Sequence, residues 1–181
     1  MNIIRYPKRE DWTSITERPQ LDTSTLNATV SNILGDIKAN GDEAVRKYEE
    51  MFDHVRLDSL AVSENEIEEA WNSVTAELRQ SIELAHANIS SFHEAQHFNG
   101  VKVETAPGVT CWQKSVPIEK VGLYIPGGTA PLFSTVLMLA TPARIAGCSE
   151  IVLCTPPDRN GNVNPAILVA ARVAGVSKIF K

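Results

Sequence analysis

The feature that most constrains this chain is an alternation of short apolar strands and helical segments over its last third. Strand candidates occupy residues 121–125, 151–154 and 178–180, and helical patterns at 132–146 and 165–174 lie between them, ended by Gly147 and Gly175. Strands separated by helices pair in parallel, and such crossovers are right-handed. The sequence therefore predicts an α/β fold that contains one βαβαβ half of a doubly wound parallel sheet.

The residues before this unit are predicted to form helices. Thr23 and Ser24 offer a cap to the first helix, Gly41 ends it, and Ser63 with Glu66 forms a capping box for the third. Apolar residues recur at helical spacing in four segments, at about 24–40, 42–54, 64–74 and 75–97.

The period of the apolar residues changes from helical to alternating at Val101. Residues 101–105 and 109–116 alternate on either side of a Pro107-Gly108 turn, which predicts a β-hairpin. We therefore expect three parts: a helical region at 1–100, a hairpin connection at 101–118, and a βαβαβ unit of a nucleotide-side domain at 119–181.

The segment 132–146 is apolar on nearly every side and carries one charge, Arg144. A helix of this kind must be covered both by its sheet and by another element. Pro142 lacks a backbone N–H, so we expect a kink there or a restart in which Thr141 caps a new helix.

Composition and charge exclude several classes of protein. The chain has 181 residues, of which 43% are hydrophobic and 22% charged, as in ordinary globular proteins rather than disordered or fibrous ones. Residues 1–100 hold 9 Lys and Arg against 18 Asp and Glu, whereas residues 101–181 hold 8 against 4. The acidic first half argues against a nucleic-acid partner. The mildly basic second half suits either an anionic small molecule or a plain solvated surface.

Nothing in the sequence predicts a membrane partner or secretion. The longest nearly apolar stretch, 132–140, is far shorter than the roughly 20 residues of a membrane helix, and the first residues lack the apolar core of a signal peptide. Three cysteines, an odd number, favour free thiols in a reducing compartment. A cytoplasmic location is therefore expected.

Residues 93–97 read His-Glu-Ala-Gln-His, the H-E-x-x-H pattern of zinc hydrolases. A catalytic zinc needs a third protein ligand, and no histidine follows His97. The pattern also lies on the last turn before Asn99-Gly100, where helices fray. We expect a solvated helix end here, with a zinc site on His93, Glu94 and His97 as the alternative.

The cysteines show no metal or redox spacing. Cys148 and Cys154 flank and occupy a predicted buried strand and form no C-x-x-C pair. We expect both to be small buried hydrophobes, and the same for Cys111 in the hairpin.

The loop at 124–131, Tyr-Ile-Pro-Gly-Gly-Thr-Ala-Pro, follows the first parallel strand, at the sheet edge where ligands bind. Paired glycines allow a ligand to approach the backbone closely, and Tyr124 offers a flat ring and a hydroxyl. The loop matches neither the dinucleotide fingerprint nor a phosphate loop. The spacing of these residues does not distinguish a ligand site from a plain turn.

Longer motifs carry a resemblance to a known family. The run VGLYIPGGTAPLFSTVLMLATPARIAGC at 121–148, followed by IVLCTPP at 151–157, resembles the signature region of histidinol dehydrogenase. The resemblance extends to KANGDEAVRKY at 38–48, FHEAQ at 92–96 and VETAPGVTCWQ at 103–113, and so covers nearly the whole chain. It implies an incomplete Rossmann-like sheet.

The resemblance also implies an activity. Histidinol dehydrogenases are cytoplasmic, zinc-requiring, NAD-linked homodimers that oxidise L-histidinol to L-histidine through the aldehyde, in the last steps of histidine biosynthesis. Family chains are much longer, so this one would be an inactive N-terminal part, truncated at Lys181. The family's zinc ligands and Glu-His acid/base pair are expected beyond Lys181, so no catalytic or metal residue is assigned here. Tyr124 matches an NAD-contacting tyrosine.

Two further hypotheses stay open at this stage. One is the zinc hydrolase built on residues 93–97, although relatives need neither an acid at the position of Glu94 nor a histidine at that of His97. The other is a non-catalytic α/β interaction module, which the apolar helix at 132–146 and the absence of catalytic groups would suit.

Overall fold

A computed structural model describes residues 3–18, 24–127 and 130–181 of the chain. The chain divides into two compact units, residues 1–44 and residues 45–181. No helix in the described ranges is long and apolar enough to span a lipid bilayer. In chain order the elements are α1 (Trp12–Thr16), α2 (Ser24–Asn40), α3 (Asp42–Phe52), α4 (Glu64–Ser73), α5 (Ala76–Glu94), β1 (Lys102–Ala106), β2 (Val109–Trp112), β3 (Lys120–Tyr124), α6 (Phe133–Ile145), β4 (Glu150–Cys154), α7 (Pro165–Ala174) and β5 (Lys178–Phe180).

The first unit consists of a short 3-10 turn, α1, α2 and the start of α3. The indole nitrogen of Trp12 donates to the Pro7 carbonyl at 3.3 Å. Gly41 follows α2 at φ +58°, a backbone conformation that favours glycine, so the predicted stop is confirmed. Thr23 and the side chain of Ser24, the predicted caps, lie outside the described residues.

The helices α4 and α5 begin at side-chain caps. The Ser63 backbone N–H donates to Glu66 Oε2 at 2.8 Å, and the Ser63 hydroxyl accepts from the Glu66 backbone N–H at 3.3 Å, which confirms the predicted capping box. The Thr75 hydroxyl accepts from the Leu78 backbone N–H and caps α5 in the same way. The predicted fourth helix is shorter than expected, because α5 ends at Glu94 rather than His97.

In the described ranges five strands form two sheets, and all five follow Val101, where the change of period predicts strands. Strands β1 and β2 make an antiparallel hairpin with a bulge between Glu104 and Ala106. Strands β3, β4 and β5 lie side by side in that order, and both pairs are parallel. The predicted α/β fold with a βαβαβ unit is therefore confirmed.

One face of the parallel sheet is buried. Ile151, Leu153 and Ile179 point to this face and join α6 and α7 in a single apolar core. Helices α4 and α5 pack on α6 and α7 from the far side and contribute Ala70 and Ile82 to the same core.

The predicted boundaries at residues 100 and 118 coincide with changes in the type of secondary structure. That they are also limits of domains remains a prediction.

Helix α6 runs without interruption from Phe133 to Ile145, so the predicted restart at Thr141 is wrong. Pro142 lies inside the helix, and the Thr141 hydroxyl is buried with no hydrogen-bond partner in the described part of the chain. Packing on β3, β4, α5 and α7 stabilises the helix through the proline, so the helix needs no new cap there. Met138 and Leu139 remain exposed on its outer side.

Candidate functional site

A cleft of about 600 Å³ opens at the carboxyl ends of β3 and β4. Its walls are Pro126 and Gly127 after β3, the segment 155–158 after β4, the start of α7, and one side of α4. Ligands of doubly wound sheets bind at this end of the strands. The cleft is therefore the candidate functional site, and part of the predicted loop at 124–131 lines it.

The two loops after β3 and β4 pack tightly against each other. A Cβ atom on Gly127 would lie 2.7 Å from Pro156 Cγ, closer than real Cβ contacts allow. The fully buried Ile125 anchors the first loop by donating its N–H to the Cys154 carbonyl at 2.9 Å. The glycine thus provides close packing between loops, and the neighbouring Gly128 and Thr129 lie outside the described residues.

The third wall of the cleft is a capped helix start. Asn164 Oδ1 accepts from the Ala166 backbone N–H at 2.9 Å, and Pro165 occupies the first turn of α7. Before it, Asp158 Oδ1 accepts from the backbone N–H groups of Asn160 and Asn162 at 2.8 and 2.9 Å. The loop is ordered by its own side chains, which gives the cleft a preformed wall.

Helix α4 is held beside the cleft by Trp71. Two guanidinium groups lie over its indole ring, with Arg79 Cζ 4.8 Å and Arg172 Cζ 4.5 Å from the ring centroid. Arg172 also pairs with Glu68 at 2.7 Å. These contacts join α4 to α5 and α7 and so position the carboxylates of α4 along the cleft.

The charge of the cleft is mainly negative. Glu66, Glu69 and Asp158 line it, and the Lys181 ammonium pairs with Glu66. Partial burial raises the pKa of Glu66, but the hydrogen bonds from Lys181 and Ser63 outweigh this effect and hold that pKa below its ordinary value. The sequence predicted Glu66 only as a cap, because no pattern links positions 66 and 181.

Tyr124, the predicted cofactor-binding residue, lies at the end of β3 but does not line the cleft. Its side chain is 64% exposed and belongs to the face of the sheet that α6 and α7 do not cover. Tyr124 lies beside Cys154 on the neighbouring strand β4, and Cys154 lies beside Phe180 on β5. The three residues form a row across the carboxyl end of this open face.

The H-E-x-x-H pattern does not form the arrangement that a zinc hydrolase needs. His93 is the last basic residue of α5, whereas His97 lies beyond the end of the helix. His93 Nδ1 lies 2.8 Å from Gln96 Oε1 and is engaged locally. In residues 3–18, 24–127 and 130–181, no three His, Cys, Asp or Glu side chains come together as a metal-binding group.

The predicted burial of the cysteines is wrong for two of the three. Cys154 is exposed because alternate residues of β4 face the open side of the sheet, and Cys111 is exposed on the hairpin. Cys148 is half-buried against the core, closer to the expectation. Local burial of the sulfur raises the pKa of the Cys154 thiol, which makes it a weak nucleophile at neutral pH.

Comparison with known proteins gives a consistent result. The profile of the histidinol dehydrogenase family matches residues 16–181. Histidinol dehydrogenases of Bacteroides fragilis and Bacteroides thetaiotaomicron are 64% and 60% identical over all 181 residues, and one of Xanthomonas campestris is 48% identical over 94% of this chain. This chain spans 42% of the length of each of these relatives.

A solved structure has the same fold. The crystal structure of histidinol dehydrogenase from Elizabethkingia anophelis matches with a TM-score of 0.91 and 46% sequence identity. The match covers 97% of this chain and 40% of that one. The helices, the hairpin and the parallel unit therefore recur together in a chain more than twice as long.

Proposed function

Because the chain belongs to the histidinol dehydrogenase family, we propose that it forms part of an enzyme that oxidises L-histidinol to L-histidine through the aldehyde, with NAD as hydride acceptor. The observation that carries the proposal is the match over residues 16–181, together with 64% identity to the Bacteroides fragilis enzyme. The chain spans 42% of that relative, so the proposal concerns the longer protein, and this part alone is expected to be inactive.

The contribution of this chain would be to bind the dinucleotide. NAD, when bound, accepts the hydride of the substrate. Tyr124 fits such a ligand because the residue is 64% exposed at the carboxyl end of the first parallel strand and its hydroxyl can donate a hydrogen bond. The residues at 126–127 and 155–157 would then bound the neighbouring part of the ligand.

The described residues do not fit zinc. His97 lies beyond α5, and no three candidate ligands come together in the described ranges. The proposal takes the zinc ligands, the acid/base groups and most contacts to L-histidinol from the part of the longer protein beyond the position of Lys181, as the family resemblance implies, and it assigns no proton transfer to a residue of this chain.

Assembly and location follow from the same proposal. Histidinol dehydrogenases are expected to be homodimers, so the longer protein would pair with a second copy. Three free cysteines, two of them exposed, suit a reducing compartment, which supports a cytoplasmic enzyme.

The experiment is an assay of NADH formation with L-histidinol and zinc. The 181-residue chain is compared with a fusion in which the remainder of the Bacteroides fragilis relative follows Lys181. We expect no histidinol-dependent NADH from the short chain and measurable formation from the fusion. Heat-treated fusion and a mock preparation serve as controls.

Two outcomes would contradict the proposal. Histidinol-dependent activity of the 181-residue chain alone would place the catalytic groups within it. A folded fusion that stays inactive, while the intact relative is active in the same assay, would show that this chain cannot supply the N-terminal part of the enzyme.

A further inference from the structure

Three asparagines in the sequence are followed directly by glycine, at residues 40–41, 99–100 and 160–161. Glycine has no Cβ to hinder its backbone nitrogen, so that nitrogen can attack the carboxamide of the preceding asparagine and deamidate it. All three asparagines are exposed. The attack also needs a glycine N–H without a hydrogen-bond partner and a carboxamide that is free to turn towards it. The local structure of each pair therefore decides whether it reacts.

The pair at 40–41 is held at both reacting groups. Asn40 is the last residue of α2, and its Nδ2 donates to Asp36 Oδ1 at 2.6 Å. The Gly41 N–H donates to the Ile37 carbonyl at 2.8 Å and closes the last helical turn. Both hydrogen bonds must open before the nitrogen can reach the carboxamide, which protects this pair.

The pair at 160–161 is held in the loop between β4 and α7. The Gly161 N–H donates to the Asp158 carbonyl at 2.9 Å, and the Asn160 backbone N–H donates to Asp158 Oδ1 at 2.8 Å. Gly161 is buried, and the position of its missing Cβ lies 3.1 Å from Leu57 Cδ2. The glycine nitrogen is therefore hydrogen-bonded inside a packed turn, which protects this pair as well.

The pair at 99–100 has neither form of protection. Residues 97–100 connect α5 to β1 and belong to no helix or strand. Within the described ranges, neither the Asn99 carboxamide nor the Gly100 N–H makes a hydrogen bond. Gly100 has a φ of +69°, and a Cβ on it would lie 2.6 Å from the Gln113 carbonyl oxygen. The fold thus requires at position 100 the one residue that leaves the nitrogen unhindered.

From this comparison we propose that Asn99 is a site of spontaneous deamidation in the folded chain. The Gly100 nitrogen loses its proton to base in solution and attacks Asn99 Cγ. The new N–C bond forms as the bond from Cγ to Nδ2 breaks, and Nδ2 takes up a proton and leaves as ammonia. Water then opens the succinimide at either carbonyl and gives aspartate or isoaspartate. The net reaction is hydrolysis of an amide, without oxidation or reduction.

The position of Asn99 gives the reaction a structural consequence. Both products add a negative charge to the connection between α5 and β1, and isoaspartate also adds a methylene group to the main chain. Directly after it, the Gln113 N–H donates to the Val101 carbonyl at 2.9 Å, and the Gln113 carbonyl packs on Gly100. A longer main chain at residue 99 shifts these contacts, so isoaspartate loosens the start of the hairpin.

The test compares the three pairs within one protein. The 181-residue chain is incubated at mildly alkaline pH, folded and in urea, and peptide mapping by mass spectrometry follows the conversion of each asparagine. An isoaspartyl methyltransferase assay identifies the isoaspartate product. In the folded chain we expect Asn99 to convert at least roughly tenfold faster than Asn40 and Asn160, because their hydrogen bonds must open first. In urea the three rates should agree within about threefold, because this local structure is lost.

A matched pair of variants tests the assignment by charge. Deamidation produces a more acidic species, which ion-exchange chromatography separates from the starting protein. Asn99→Gln should suppress this species in the folded chain, because glutamine must form a larger ring, whereas Asn160→Gln should leave it unchanged. Circular dichroism checks that both variants are folded.

Two results would overturn the proposal. One is a folded chain in which Asn99 reacts no faster than Asn40 or Asn160. The other is an acidic species that forms at the same rate in folded Asn99→Gln. Because these measurements need neither NAD nor L-histidinol, failure of this proposal is distinguishable from failure of the proposed activity.

Discussion

Gly127 and Pro156 pack so closely that a side chain at position 127 would force a shift, because its Cβ would lie 2.7 Å from Pro156 Cγ. The contact joins the loops after β3 and β4 at the mouth of the cleft. The proline ring is stiff and cannot rotate away as a long side chain could, so a methyl group must displace one loop.

Gly127→Ala should therefore lower the free energy of unfolding of the 181-residue chain by about 1–3 kcal/mol, the usual cost of overpacking. Gly122→Ala is the matched control, since nothing lies within 4 Å of its Cβ position. It should raise the free energy of unfolding by about 0.4–1 kcal/mol, because alanine restricts the unfolded chain more than glycine does and fits this strand position without strain. Urea unfolding followed by circular dichroism measures both, and equal effects would contradict the role of the loop contact.

The Glu66–Lys181 pair predicts a pH-dependent stability. The pKa of Glu66 lies below its ordinary value of 4.5 in the folded chain, so the pair stabilises the fold above that value. This contribution is lost as the pH falls through the folded-state pKa. Glu66→Gln keeps the capping geometry but leaves the largely buried ammonium of Lys181 without its partner charge.

We expect Glu66→Gln to lower stability by about 1–3 kcal/mol at pH 7, between the values of exposed and buried pairs. Wild type and variant should converge in acid, below the ordinary glutamate range. Glu83→Gln, on the exposed side of α5, is the control. Urea unfolding midpoints of wild type and variant are measured between pH 3 and pH 8. A difference in midpoint that stays constant at every pH would rule out the ion pair as its cause.

Local sequence signals predicted most of the fold correctly. Helix α7 begins at Pro165 and ends before Gly175 as predicted, because proline at the first turn and glycine at a positive φ are strong boundary signals. The capping box at Ser63 and the parallel order of the last three strands are likewise confirmed. Each depends on residues close together in sequence or on a general rule of topology.

The errors arise where tertiary contacts decide. Cys154 lies in a strand that the sequence predicts to be buried on both faces, yet one face of the sheet is open, so the residues of β4 on that face are only half-buried or, as for Cys154, exposed. Pro142 predicts a kink or a restart of the helix, and the restart is wrong because α6, packed on four elements, continues through the proline. In the cleft, the loop after β3 was predictable, whereas the pair between Glu66 and Lys181 joins residues 115 positions apart.

Zinc binding provides a third test. The 181-residue chain should hold no stoichiometric zinc at neutral pH after dialysis, because His97 lies beyond the end of α5 and the pattern has no third ligand beside it. Elemental analysis of the purified protein gives the answer. One equivalent of zinc that disappears in a His93→Ala, His97→Ala double variant would revive the hydrolase hypothesis.

Tyr124 provides the last test, in an active fusion to the remainder of the Bacteroides fragilis relative. The residue is 64% exposed at the end of β3, so Tyr124→Ala removes a contact surface without opening a cavity in the core. NAD affinity should fall by about 1–2 kcal/mol, the scale of an aromatic contact plus a hydrogen bond. Tyr124→Phe, which keeps the ring, should lose about half of this binding free energy.

The affinity for L-histidinol should change much less in both variants, because its contacts are expected beyond Lys181. Titration calorimetry with each ligand separates the two effects, and equal losses for both ligands, or none for NAD, would remove Tyr124 from the cofactor site.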